Sequence, residues 1–99
     1  MTYVWTWGGK FFGYISSGYL YTKNGKCVGV LKNNDIYDRK GKYIGEVMND
    51  NRLITCKSKS NWCGPMAPHS IGGSCCSYIN YVGYVMYAGY EDFPDYESF

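Results

Sequence analysis

Apolar and polar positions along the first half of the chain recur with a period of 16 residues. Residues 3–18 read YVWTWGGKFFGYISSG, residues 19–34 YLYTKNGKCVGVLKNN and residues 35–50 DIYDRKGKYIGEVMND. Stacked, they share one template: an aliphatic residue, an aromatic, Thr or Asp, two variable positions, Gly-Lys, two mostly apolar residues, Gly, any residue, an aliphatic. An internal repeat of this kind decides architecture before any other signal does. Each unit is a short run rich in β-branched and aromatic residues, a Gly-containing turn, a second such run and a polar link. No stretch carries the 3.6-residue apolar period of a helix. The pattern predicts an up-and-down meander with two short strands per repeat.

The turn pairs Gly8-Gly9, Asn24-Gly25 and Lys40-Gly41 suit two-residue type I′ turns, which need φ > 0 at both central residues. That loop length sets Trp5 against Phe12, Tyr21 against Val28 and Tyr37 against Ile44. It also sets Val4, Leu20 and Ile36 against Gly13, Gly29 and Gly45. A mid-strand glycine recurring at one place predicts a bend, a bulge or a close backbone approach. Both faces of the strands are partly apolar, so the sheet must be covered on both sides or closed on itself. A shallow, pseudo-symmetric barrel of hairpins fits, because closure removes edge strands.

A fourth hairpin is needed to close such a ring. Residues 51–55 can begin it, and Tyr81-Val82-Gly83-Tyr84-Val85 resembles Tyr43-Ile44-Gly45-Glu46-Val47 and can finish it. The expected organisation is one domain over residues 1–99. It has hairpin repeats at 3–56, a Cys-rich insertion loop at 57–77, a closing strand at 78–90 and an acidic tail at 91–99. Loops as long as the insertion are usually functional or disordered.

Charge changes the picture next. Residues 1–60 carry all 10 Lys and Arg against four acids, and residues 91–99 carry the other four acids without a base. The two regions should attract each other. No apolar run reaches the length of a membrane span, and the start shows no signal-peptide pattern. Five cysteines without such a signal point to reduced thiols and a cytoplasmic protein.

The units DIYDRKGKYIGEV and YLYTKNGKCVGVL resemble the repeats of the four-fold β-flower family, small bacterial and phage proteins. The resemblance covers residues 3–56 well and 78–87 weakly. It implies an all-β barrel of four hairpin petals and carries no catalytic residues with it. The family's presence in phage genomes implies, as one form, an inhibitor of a host protein such as a defence nuclease.

Three sets of residues are candidates for chemistry. Trp62, Tyr78, Tyr90, Phe93, Tyr96 and Phe99 form an aromatic-rich loop and tail suited to anchoring a protein partner. Lys10, Lys23, Lys26, Arg39, Lys40 and Lys42 flank the turns and predict a basic rim at the petal tips, able to meet an anionic ligand, a nucleotide or a phospholipid surface. Cys56, Cys63, His69 and Cys75, with Cys76 adjacent, can in principle hold zinc, although C-x6-C-x11-CC lacks the paired spacing of structural sites. Ordinary buried thiols and solvated lysines are the plainer readings of the last two sets. His69 is the only histidine, so any nucleophilic triad must use it. The expectation is a non-enzymatic protein-binding module without a cofactor, with anion binding and a zinc-pinned structural role as alternatives. Another protein is the expected partner, nucleic acid a lesser one, and a homo-oligomer that completes the ring stays open.

Overall fold

The computed structural model describes residues 1–75 and 77–99. Eight strands follow in chain order: β1 (Thr2–Thr6), β2 (Phe11–Ser16), β3 (Tyr19–Thr22), β4 (Cys27–Lys32), β5 (Asp35–Tyr37), β6 (Tyr43–Met48), β7 (Arg52–Cys56) and β8 (Tyr90–Asp92). Each pairs antiparallel with the next. The ring closes within the one chain, because β1 also pairs parallel with the start of β7 at Trp5↔Arg52 and Thr6↔Leu53. The product is a closed seven-stranded barrel with β8 added on the far end of β7.

The repeat is visible in the packing. Val4, Leu20, Ile36 and Leu53 occupy equivalent positions and are all fully buried. Leu53 joins this ring one residue late, because the third link carries Asn51 in addition to Asn49-Asp50. Phe12, Val28 and Phe93 complete the main core, with Ile44, Tyr96 and Phe99 packed against it.

Two details of the expected hairpins are corrected. The petal tips are three-residue loops, Trp7-Gly8-Gly9, Lys23-Asn24-Gly25 and Arg39-Lys40-Gly41, each closed by paired backbone bonds such as Gly25 N–H to the Thr22 carbonyl (2.9 Å) and Thr22 N–H to the Lys26 carbonyl (2.9 Å). Only the last residue of each, Gly9, Gly25 or Gly41, has positive φ. That is the type I turn with a left-handed glycine, not type I′. The repeated Thr or Asp now has a purpose. Thr6 Oγ1, Thr22 Oγ1 and Asp38 Oδ1 accept the N–H of Lys10, Lys26 and Lys42 across the loop (3.2, 3.3 and 3.0 Å). The two-residue turns with both φ positive are the links instead: Ser17-Gly18, Asn33-Asn34 and Asn49-Asp50.

Register follows from the longer loop. Val4, Leu20 and Ile36 face Gly13, Gly29 and Gly45 as expected, but a bulge then pairs Trp5, Tyr21 and Tyr37 with Phe11, Cys27 and Tyr43. The extra residue in each bulge is Phe12, Val28 or Ile44, and it serves the core.

The fourth petal departs most from expectation. Residues 78–87, expected to be strand, form neither helix nor strand, and β7 pairs instead with Tyr90–Asp92 at the head of the tail. The edge that residues 81–85 would need is already taken, by β1 at the start of β7 and by β8 at its end. One 3₁₀ turn follows β7 at Lys57–Lys59 and another lies in the tail at Tyr96–Ser98. Among the described residues no helix is long and apolar enough to cross a membrane.

Candidate functional site: an uncharged strap and a divided basic rim

Residues 60–90 contain no Lys, Arg, Asp or Glu. This strap visits the three petal tips in reverse order and makes the same contact at each. The N–H groups of Gly64, Gly72 and Tyr81 donate to the carbonyls of Gly41, Gly25 and Gly9 (2.8, 2.6 and 2.8 Å). In return, the N–H groups of Tyr43, Cys27 and Phe11, sixteen residues apart, donate to the Trp62 carbonyl (3.1 Å), the Ser70 carbonyl (3.2 Å) and Asn80 Oδ1 (3.0 Å). Backbone groups left free by the bulges are thus satisfied by the strap, as buried polar groups must be. A Cβ on Gly25 would lie 2.2 Å from the Gly72 carbonyl oxygen, so the tip glycine serves the strap as well as the turn.

Along the first petal the strap reads YIN-YVG-YVM-YAG-Y over residues 78–90, a tyrosine every third residue. Three is the period of an extended polyproline-like chain, where a strand has two. Each of the first four tyrosines lays one face on the aromatics of the barrel and leaves the other to solvent, 44–51% exposed. Tyr78 lies 4.6 Å from the Tyr3 ring, Tyr81 stacks on Trp5 at 3.9 Å, and Tyr84 and Tyr87 lie 4.8 and 5.4 Å from Trp7. The carbonyls of Ile79, Val82 and Val85 are held by Trp5 Nε1 (3.0 Å), an Arg52 Nη (2.9 Å) and Trp7 Nε1 (3.0 Å). With every third carbonyl fixed inward, the Ile79, Val82 and Val85 side chains stand outward, 83%, 87% and 89% exposed. Arg52 itself is 4% exposed. It also donates to the Trp7 carbonyl and lies 4.2 Å beneath the Tyr84 ring. No carboxylate pairs with it among the described residues. Its role is to pin the strap.

The expected aromatic anchors fare differently. Phe93 is 3% exposed and packs on Phe12 at 5.3 Å, so it belongs to the core and offers nothing to a partner. It stands in the fourth petal where Phe12 stands in the first. Phe99 packs on Phe12 and Phe93. Tyr90 is half-buried beside Cys56, and Tyr78 rests one face on Tyr3, Trp5 and Phe11 while staying 44% exposed. Trp62 keeps an exposed face, with Lys59 Nζ 4.7 Å from its ring. The exposed aliphatics of the strap were missed by sequence reasoning, although the three-residue tyrosine spacing signalled them.

The basic rim exists but is divided. The tail folds back over its first part. Lys10 Nζ pairs with the Asp95 carboxylate, Glu97 follows at 3.9 Å, and Lys10 and Lys23 lie 5.7 and 4.6 Å from the centre of the Tyr96 ring. Asp95 raises the Lys10 ammonium above its ordinary range. Burial works to raise Asp95, but the bond from Lys10, helped by the Glu97 N–H, outweighs it and holds the carboxyl below its usual range. Lys26, Arg39, Lys40 and Lys42 border a cavity of about 390 Å³ with Val28 and Phe99. Asp38 is the one acidic side chain among the described residues that line it, and Asp38 Oδ1 is engaged by the Lys40 and Lys42 N–H groups. Lys26 and Arg39 also border a second cavity, of about 420 Å³, with His69 at its edge.

The proposed metal ligands are dispersed. Cys56 is buried at the end of β7, Cys63 is exposed beside Lys42, His69 is exposed at the second cavity and Cys75 sits against Lys23. Among the described residues no three His, Cys, Asp or Glu side chains converge as a metal site would require. Cys76 lies outside the described residues. The Ser58 hydroxyl, 3.2 Å away, pulls the Cys56 thiol below its ordinary range against the effect of burial. Nearby, Lys59 bridges Asp35 and Glu46 at 3.0 Å each. Burial pushes Tyr43 up, and its O–H donates to Glu46 at 2.8 Å. These groups tie the 3₁₀ turn that leads into the strap to the third petal.

Comparison with curated proteins and with solved structures returned no match. A family model described as 4-fold beta flower protein matches residues 1–69, reaching past the repeats to the strap's first seats and stopping short of residues 78–87. The three petals with their repeated loops and bulges, and the match over more than half of the chain, make this protein a member of the 4-fold beta flower family.

Proposed function

We propose that this chain works by binding another protein, without catalysis, and that its docking surface is the outer ridge of the strap. The carrying observation is the row Ile79, Val82 and Val85, at least 83% exposed in a 31-residue segment without a formal charge. Exposed aliphatic side chains held in a fixed row mark interaction surfaces. Depletion of charge with enrichment of Tyr, Trp and Met is the composition of interface cores. The ridge is preorganised by the bonds from Trp5, Arg52 and Trp7, so docking orders little further chain. An inhibitor that covers an apolar surface of a host protein is one form such docking takes.

The test is affinity capture from the source cells with the wild type and an Ile79→Asp/Val82→Asp double variant. Both positions are exposed, so thermal stability should change little. The expected result is a partner retained by the wild type and lost by the double variant. Equal capture by both would overturn the assignment of the ridge.

A further inference from the structure

The 16-residue repeat relates Lys10 to Lys26 and Lys23 to Arg39. The first pair forms a notch between petals one and two, and the chain itself shows what that notch binds. Asp95 places a carboxylate on Lys10, and Tyr96, the next residue, places a ring against Lys10 and Lys23. The preference is chemical: a carboxylate meets an ammonium, and the ring offers its electron-rich face to both cations.

The second pair stands one repeat on, between petals two and three. Lys26 and Arg39 border both cavities of the open rim. The Arg39 guanidinium is oriented by one Nη bond to the Cys27 carbonyl (3.1 Å), and its buried Nε has no hydrogen-bond partner among the described residues. Where the first notch has the ammonium of Lys23, the second therefore has a guanidinium, fixed by its Cys27 bond and with N–H donors beyond that bond. Lys40 and Lys42 add charge on one side, and Val28 and Phe99 supply an apolar wall for a ring.

We infer that the Lys26–Arg39 notch is a second docking site of the same chemistry, taking an acidic–aromatic segment of a partner chain. The carboxylate sits between Lys26 and Arg39, and the neighbouring ring lies against Val28 and Phe99. This site is separate from the strap ridge and stands or falls independently of it.

The experiment titrates a synthetic peptide, EDFPDYESF, into the full chain and follows binding by calorimetry and by ¹⁵N chemical shifts. The expected result is saturable binding with shifts centred on residues 26–28 and 38–42. Affinity should fall at least tenfold with the Lys26→Gln or Lys42→Gln variant and with a peptide carrying Asn for its second Asp. Lys10→Gln should leave affinity unchanged. Arg39→Gln should also weaken binding, but because Arg39 holds the Cys27 carbonyl, the two lysine variants decide the matter. No saturable binding, indifference to Lys26→Gln and Lys42→Gln, or equal affinity for the Asn peptide would each overturn the site. Loss with Lys10→Gln alone would place the peptide in the first notch, in exchange with the tail, and would also overturn it. If phosphotyrosine binds with the same lysine dependence while the peptide does not, the notch selects a small aryl phosphate and the peptide assignment fails.

Discussion

Lys10 and Lys23 occupy the same places in their repeats as Lys26 and Arg39 in theirs, yet the two notches differ in everything around them. The first is crossed by the tail, with Asp95 and Glu97 beside Lys10 and Tyr96 beneath both cations. The second opens onto two cavities and is flanked by two further lysines. A repeat duplicates sites as faithfully as it duplicates strands. Which copy stays accessible is decided by the segments outside the repeat. Here those segments are the strap, which seals the petal tips from outside, and the tail, which plugs the barrel with Phe93 and Phe99 and lands on one notch.

The comparison breaks most completely if the tail loses its anchor. Phe93→Ala removes a buried ring that touches Phe12 and Phe99 and should destabilise the fold by about 3–4 kcal/mol in urea unfolding. The same change should release Tyr96 from Lys23, so the first notch should come to resemble the second in anion binding. If the tail stays docked, the anchor lies elsewhere.

The seats of the strap come next. Gly18 and Gly25 both have positive φ (82° and 89°), but an added Cβ on Gly18 meets nothing, whereas on Gly25 it meets the Gly72 carbonyl oxygen at 2.2 Å. Gly18→Ala should cost about 1 kcal/mol, the left-handed penalty alone. Gly25→Ala should cost roughly 3 kcal/mol, because the strap must lift. Equal losses would show that the strap adds nothing at the second petal.

A smaller effect is expected at Lys59. Lys59→Met leaves Asp35 and Glu46, each 14% exposed at the side chain, without their shared cation, and should cost about 1–2 kcal/mol. It should also free the turn that leads into the strap without touching either notch. Anion binding at Lys26 and Arg39 should therefore be unchanged.

Acid provides the gentlest separation. The Asp95 carboxyl is held below its ordinary range, so its contribution is present above that range and is lost as pH falls through the folded value. Lys10 is raised, so its share persists until pH rises through its folded value. The Tyr96 ring contacts, followed by NMR, should loosen below about pH 4, while the strap contacts remain. Simultaneous loss of both would mean that the tail is not an independent element.

Much of this was legible in the residues. The repeat dictated the strands of the first three petals and their order, left open whether the ring closes within one chain, and its glycine at 13, 29 and 45 announced a bend, a bulge or a close approach, of which the bulge is found. Loop type was misassigned because Asn-Gly and Gly-Gly suit I′ turns locally, while the Thr or Asp before each tip favours a longer loop closed by its side chain. YVGYV at 81–85 imitates YIGEV at 43–47 over five residues, and only the wider tyrosine period of three distinguishes strap from strand. The basic rim could be read from the repeat. Its division could not, because where Asp95 lands depends on the path of the whole strap before it. Phe93 reads as an exposed anchor because its acidic neighbourhood hides its place in the fourth petal, where it is buried.

The most direct test of the ridge as docking surface is the salt dependence of the isolated complex between this chain and its captured partner. If Ile79, Val82 and Val85 carry the contact, affinity should stay nearly flat from low to high salt, because no charge takes part. A steep fall with salt would contradict the account and move the docking surface to the basic notches.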